Sequence, residues 1–159
     1  MHVNGEYMKE KFMRQALIQA KKALAQDEVP IGAVIVKDGK IIARGYNQTE
    51  KTQNAIKHAE IIAIEKANRK LRSWRIDDAE IYVTVEPCAM CAGAIANARI
   101  KKVYFGASEP KSGCAESKYP ILTDNGLNHV CVYQGGILKD ECSTLLSGYF
   151  KMKRQKKKK

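Results

Sequence analysis

Two cysteines and a histidine are the side chains in this sequence whose types and spacing suit a metal. The stretch Val83-Thr84-Val85-Glu86-Pro87-Cys88-Ala89-Met90-Cys91 begins as an apolar, β-branched run, stops at a proline, and continues into Ala92-Gly93-Ala94-Ile95-Ala96. That order predicts a strand that ends at Pro87 and a helix that starts there. Cys88 and Cys91, three positions apart, then share one face of the first helical turn. The free N–H groups and the positive dipole end of that turn favour thiolates. Two thiolates at this spacing are half of a zinc site. Taken alone, the pair fits a catalytic zinc, a structural zinc or a redox dithiol equally well. A second pair is lacking, because Cys114, Cys131 and Cys142 are scattered.

The third ligand lies upstream. The histidines are His2, His58 and His129, and His58 opens the helical pattern His58-Ala59-Glu60-Ile61-Ile62-Ala63-Ile64-Glu65-Lys66-Ala67. One imidazole and two thiolates, each at a helix start, leave the fourth tetrahedral position for water, as in catalytic zinc sites. Glu60 is long enough to reach that water without ligating the metal. Zinc lowers the pKa of bound water to about 7, and Glu60 is the carboxylate able to take and hand on its proton. A lone His-x-Glu is a weak signal, and an isolated histidine is more often a packing or capping residue. His58-Ala59-Glu60 followed by Glu86-Pro87-Cys88-Ala89-Met90-Cys91 is a strong one, and it resembles the His-x-Glu…Pro-Cys-x-x-Cys signature of the zinc nucleobase deaminases.

The elements that must position these groups are legible around them. The chain has 159 residues, 45% hydrophobic and 28% charged, which fits one globular domain and excludes disordered and membrane-spanning classes. No apolar run approaches the roughly 20 residues a membrane helix needs, and the first residues carry no secretory pattern. Five cysteines, an odd number, with two read as ligands, point to a reducing cytoplasm. Met8, Phe12, Ala16, Ala20 and Leu24 recur every four residues and predict an amphipathic helix over 7–25. Two apolar runs, 31–36 and 41–46, flank Lys37-Asp38-Gly39-Lys40, a hairpin signal. Asn47 closes the second strand. Its amide offers a donor and an acceptor, suited to a base edge, although a turn asparagine capping a strand end reads the same way.

Residues 48–57 read as a loop, and the helix opened by His58 runs to about Leu71. A third strand covers 79–85, and the Cys88 helix ends near Ala98. A fourth strand covers 102–107, a loop follows at 108–113, and turn residues dominate from Cys114 to Asn128. A short strand over 129–133 puts His129 and Cys131 on one face, where ordinary packing is the preferred reading. A last helix runs from Lys139 to about Arg154. Strand–helix–strand–helix–strand implies parallel pairing with right-handed crossovers. The expected fold is therefore α/β, three-layer α/β/α, with a mixed five-stranded sheet: an antiparallel hairpin, then parallel strands. Ligands in such sheets bind beyond strand ends at helix N-termini, where both half-sites fall.

Residues 151–159 hold seven Lys or Arg, and with a formal net charge of +11 the rest of the chain carries 11 − 7 = +4. Such a run is usually a solvated end, but it also suits phosphates, and Phe150 ahead of it is a group on which a base can stack.

Taken in order, Val29-Pro30-Ile31-Gly32-Ala33, Gly45-Tyr46-Asn47, His58-Ala59-Glu60, Thr84 to Ala94, Val103 to Ala107, Pro110-Lys111-Ser112-Gly113, Asp140-Glu141-Cys142 and Tyr149 to Arg154 span nearly the whole chain. In these segments the sequence resembles the bacterial tRNA-specific adenosine deaminases of the cytidine-deaminase-like superfamily. The zinc motif defines the superfamily; the carboxyl-terminal stretch and the Gly106-Ala107…Pro110-Lys111 loop point to the tRNA branch.

The resemblance implies hydrolytic deamination of the wobble adenosine of a tRNA anticodon to inosine. It implies a single zinc-dependent domain over 1–159 with a basic tail from about 151, one zinc ion per subunit, and a cytoplasmic homodimer whose partner is the anticodon stem-loop. Zinc falls to His58, Cys88 and Cys91, and the proton shuttle to Glu60. Asn47 and the backbone around Ala59 hold the base, with Val29 against its face, and Glu86 stands with the substrate-binding residues. The loop around Glu109 and Lys111, with Phe150, Lys151, Lys153 and Arg154, grips the anticodon loop. Two departures stand out: Glu109 replaces the family's usual Asp, and Ile56-Lys57 replaces its usual Thr-Ala pair. The competing readings are a deaminase of a free nucleobase or nucleoside such as guanine or cytosine, a non-catalytic zinc-stabilised RNA-binding module and, more distantly, a thioredoxin-like redox protein.

Overall fold

The computed structural model describes residues 2–123, 126 and 129–158, with side chains from residue 5 onward. Within the loop expected over 114–128, Asp124, Asn125, Leu127 and Asn128 lie outside the described residues, as does Lys159 of the basic tail. The elements are α1 (His2–Ala25), β1 (Gly32–Lys37), β2 (Lys40–Tyr46), α2 (Thr49–Thr52), α3 (Ala59–Leu71), β3 (Ala79–Val85), α4 (Ala89–Asn97), β4 (Lys102–Ala107), β5 (Val132–Gln134) and α5 (Lys139–Lys157). They form one mixed five-stranded sheet in the order β2-β1-β3-β4-β5. β1 runs antiparallel to both β2 and β3, whereas β3, β4 and β5 run parallel.

Alternation along the strands makes the two buried faces. Val34 and Val36 of β1 pack with Phe12, Met13, Ala16 and Leu17 of α1. Ala33 and Ile35 pack with Ala59 and Ala63 of α3 and Ile95 of α4. Successive side chains point to opposite faces of a strand, so a strand apolar at every position must be covered on both sides. Helices α1 and α5 cover one face, and α3 and α4 the other. Two glycines let helices lie flush on the sheet. A Cβ on Gly32 would stand 2.1 Å from the Ala16 carbonyl oxygen, and one on Gly45 would stand 2.4 Å from that of Ala59.

The register brings the functional segments to one end of the sheet. Gly32 faces Tyr46, Ala33 faces Val83, and Val85 faces Ala107. Entry to β1, exit from β2 and exits from β3 and β4 therefore coincide, although they lie far apart in sequence.

Four local expectations are corrected. Helix α1 starts at His2 rather than near residue 7, and α5 continues to Lys157. The expected loop at 48–57 contains the one-turn helix α2. The short strand lies at 132–134 rather than 129–133, so His129 and Cys131 precede it. The Cys131 thiol and the His129 ring nitrogen both lie at the Ile100 carbonyl, at 3.2 and 2.8 Å. Irregular backbone at the sheet edge thus replaces the alternation expected there.

Candidate metal centre and the cleft beside it

His58 and Cys88 are the N-cap residues of α3 and α4, both in extended backbone conformation (ψ of 158° and 177°). Cys91 is the third residue of α4, and neither cap side chain bonds a helix N–H. Each ligand is thus freed from capping and placed where the unpaired amides of a first turn favour negative charge. The α3 and α4 starts meet because β2 and β3 end together. The Nδ1 atom of His58 stands 3.7 Å from the Cys88 sulfur and 3.6 Å from the Cys91 sulfur, and the three ligand atoms all lie within 4.8 Å of one another.

Those distances test the fit of a metal. Zn–S bonds of ~2.3 Å and a Zn–N bond of ~2.05 Å at a tetrahedral angle require N and S to be about 3.6 Å apart. Both observed N–S separations match, so the group fits one ion held between its three atoms, with Nδ1 as the imidazole ligand. Among the described residues no fourth His, Cys, Asp or Glu joins the group, which leaves one tetrahedral position for a non-protein ligand.

On their own, the three groups share protons. Hydrogen bonds from Cys91 and His58 pull the Cys88 thiol down to about 4 despite its burial. The hydrogen bond to Cys88, and then burial, push Cys91 up, and the hydrogen bond to Cys88 raises His58. Glu60, 3% exposed, is pushed up to about 7, first by burial and then by the negative charge of Cys88.

A cavity of about 120 Å³ opens onto these groups, walled by Val29, Ile31, Glu86, Glu109, Leu146 and Phe150 around His58, Glu60 and Cys88. A second cavity of about 260 Å³ adjoins it through Val29, Ile31 and His58, and adds Glu28, Asn47, Thr49 and Ala59. A third, more open groove of about 700 Å³ shares Val29 and Phe150 and runs along α5 past Lys51, Lys153 and Lys157. Together they make a cleft from the ligand triad to the basic helix.

The structure gathers most of the residues singled out from the sequence. His58, Glu60, Cys88, Val29, Asn47, Ala59, Glu86, Glu109 and Phe150 line the cleft, with Phe150 43% exposed. Lys153 lies in the groove, but its ammonium is 2.8 Å from an Asp27 carboxyl oxygen and stacks over the Tyr149 ring. Lys111, Lys151 and Arg154 are exposed and line none of the three cavities. Lys57 points to Glu65, which it pairs with at 2.9 Å, so it is not free for a phosphate.

Both oxygens of Glu86 are committed to the loop after β4. One accepts from the Glu109 N–H at 3.0 Å and from the Ser117 hydroxyl, and the other from the N–H groups of Ala115, Glu116 and Ser117 at 3.1, 2.8 and 2.8 Å. Burial alone would raise this carboxyl, but the loop's donors outweigh it and lower its pKa. Sequence reasoning missed Glu28, Thr49 and Tyr149 as cleft residues. The signal for Glu28 was an acid directly before an apolar strand, and it marks burial only once its partners are known.

The profile of the MafB19-like deaminase family matches residues 7–154. A tRNA-specific adenosine deaminase of Streptococcus pyogenes is 48% identical over 147 residues, covering 92% of this chain and 92% of the relative. A Bacillus subtilis relative with the same designation is 46% identical over 149 residues, covering 94% of this chain and 92% of its own length. A solved structure from work on A-to-I editing by tRNA:A34 deaminases at the wobble position of transfer RNA superposes with a TM-score of 0.83 at 42% identity, covering 86% of this chain and 99% of that one.

Proposed function

We propose that this chain, which belongs to the MafB19-like deaminase family and within it to the tRNA-specific adenosine deaminases, hydrolyses adenosine to inosine at the wobble position of a tRNA anticodon. The observation that carries the reading is the meeting of His58, Cys88 and Cys91 at zinc-ligand separations, with the buried carboxyl of Glu60 in the same cavity.

His58 Nδ1 and the sulfurs of Cys88 and Cys91 would hold one zinc ion per subunit, which when bound would supply Lewis-acid activation of the attacking water. Glu60 takes a proton from that water and delivers protons to the purine ring nitrogen and to the departing amine. A bond forms between water oxygen and C6, the bond from C6 to the exocyclic nitrogen breaks, and ammonia leaves, with no change in oxidation state. Val29 lies against the base, and Asn47 and the Ala59 backbone hold its edge. The walls around Glu60 are apolar at Val29, Ile31, Val85 and Leu146, which excludes bulk water from proton transfer. Glu109, Lys111, Phe150, Lys151, Lys153 and Arg154 frame the approach of the anticodon loop, Glu86 acts on the substrate side only by anchoring the loop that carries Glu109, and the basic end of α5 supports phosphate contacts. The chain acts as one domain over 1–159, with its basic tail from about 151, as a homodimer in the cytoplasm. Among the described residues no helix is long and apolar enough to cross a membrane.

The test is inosine formation in total tRNA and in an anticodon stem-loop, with free guanine and cytosine as competitors and zinc measured on the same sample. Inosine at the wobble position with about one zinc per chain is expected. Faster turnover of a free base, or RNA binding without ammonia release, overturns the reading.

A further inference from the structure

Glu28 is 1% exposed, and its carboxyl points neither to solvent nor to a cation. One oxygen accepts the N–H of Glu50 at 3.0 Å and the other that of Lys51 at 2.6 Å. These amides open α2, and a first-turn amide has no partner inside its own helix. Glu28 thereby clamps a one-turn helix that is too short to hold its own position.

The first residue of that turn is Thr49. Its hydroxyl donates to the side-chain oxygen of Asn47 at 3.0 Å. Asn47 is 6% exposed, and its backbone N–H is bonded to the Ile31 carbonyl at 3.1 Å. With the amide oxygen committed to Thr49, the group left unspent is the Nδ2 donor, for which the described residues provide no partner. In this arrangement the amide oxygen is turned to the half-buried Thr49 hydroxyl and the Nδ2 donor is turned away from it. Glu28, Thr49 and Asn47 line the same cavity as His58.

We propose that Glu28 and Thr49 are positioning residues that fix the Asn47 amide so that the site offers the base a hydrogen-bond donor, selecting a purine edge with a ring-nitrogen acceptor. The inference rests on the reading of Asn47 as a base contact. Adenine carries such acceptors. A donor held by such a relay discriminates better than a free amide, which can rotate to suit either kind of edge.

The experiment uses single-turnover inosine formation on an anticodon stem-loop at enzyme excess, which also times slow variants. Thr49→Val, which keeps the shape and removes the hydroxyl, slows the reaction about 10-fold, the worth of one such hydrogen bond. Thr49→Ser restores the rate to within about 2-fold of the parent. In an Asn47→Ala background, Thr49→Val has no further effect, because Thr49 acts through that amide. Glu28→Gln, which loses one of two acceptors, slows the parent and adds nothing to Thr49→Val.

A Thr49→Val rate equal to the parent overturns the relay, as does a Ser variant as slow as Val. An undiminished Val effect without the Asn47 amide also overturns it. Where Asn47→Ala is too slow to time, the contrast between Val and Ser decides. A parent that forms no inosine overturns the functional reading itself, which separates that failure from failure of the relay.

Discussion

Glu86→Gln exchanges one oxygen for an NH2 group and removes the charge from a side chain that is 2% exposed. The carboxylate accepts five hydrogen bonds, four from backbone amides of residues 109 and 115–117 and one from the Ser117 hydroxyl. Gln satisfies the loop best by keeping its oxygen against the three amides of Ala115, Glu116 and Ser117. Its NH2 then faces Glu109 N–H and the Ser117 hydroxyl. The hydroxyl can turn and accept; the amide cannot. One stranded buried donor costs about 1–3 kcal/mol, and the three remaining bonds lose the roughly twofold strength that a charged acceptor gives. Against this, the neutral side chain no longer carries the cost of a buried charge. The balance is a loss of about 2–3 kcal/mol, or roughly 5–10 °C in melting temperature for a chain of this size.

The assay is urea unfolding of zinc-loaded protein, with amide hydrogen exchange read at 109 and 115–117. Because the loop walls the cavity at Glu109 and Ser112, faster exchange there is expected together with a lower kcat/KM on the stem-loop. Stability within about 0.5 kcal/mol of the parent, the level of a neutral surface change, with exchange unchanged at those amides, refutes the assignment of Glu86 as the loop's anchor.

Glu60→Gln keeps its zinc and loses turnover by a factor of about 10²–10⁴, the usual share of a positioned acid–base group; metal analysis and inosine release read the two separately, and parental turnover would remove Glu60 from the mechanism. A chelator strong enough to strip the ion abolishes inosine formation and lowers the unfolding midpoint, and added zinc restores both; activity that survives verified metal removal contradicts the metal assignment. Gly45→Ala puts a methyl 2.4 Å from the Ala59 carbonyl oxygen and 2.8 Å from the Ala63 nitrogen, so overpacking lowers stability by about 1–3 kcal/mol and loosens the His58 end of the site, read as weaker zinc retention. Asp27→Asn releases Lys153 from its ion pair and strengthens stem-loop binding about 2- to 3-fold at low salt, the scale of a surface pair; an anisotropy titration that shows no gain, or a gain that persists at high salt, counts against an electrostatic origin.

The ligand set was legible because each part of it is a local signal. A β-branched run, a proline and two cysteines three apart announce a strand-to-helix junction, and His58 heading an apolar-periodic segment announces another. Alternation and the Asp38-Gly39 turn placed the hairpin, and apolar strands between helical segments implied a sheet covered on both faces. Local signals failed where tertiary packing set the boundary: α2 lies inside a polar segment, held by an acid from the α1–β1 connection, and β5 begins only where β4 offers backbone to pair with.

The residue types, their spacing and the order of elements are therefore properties of the sequence alone. The tertiary structure decided that His58 and Cys88, 30 positions apart, stand at ligand distance. It also decided that the carboxyls of Glu28 and Glu86 serve loops 22–31 positions away rather than solvent or substrate. The reason is physical: a side chain's partner across the sheet is set by strand register and by the direction in which burial forces it to point, and neither is encoded in its immediate neighbours along the chain.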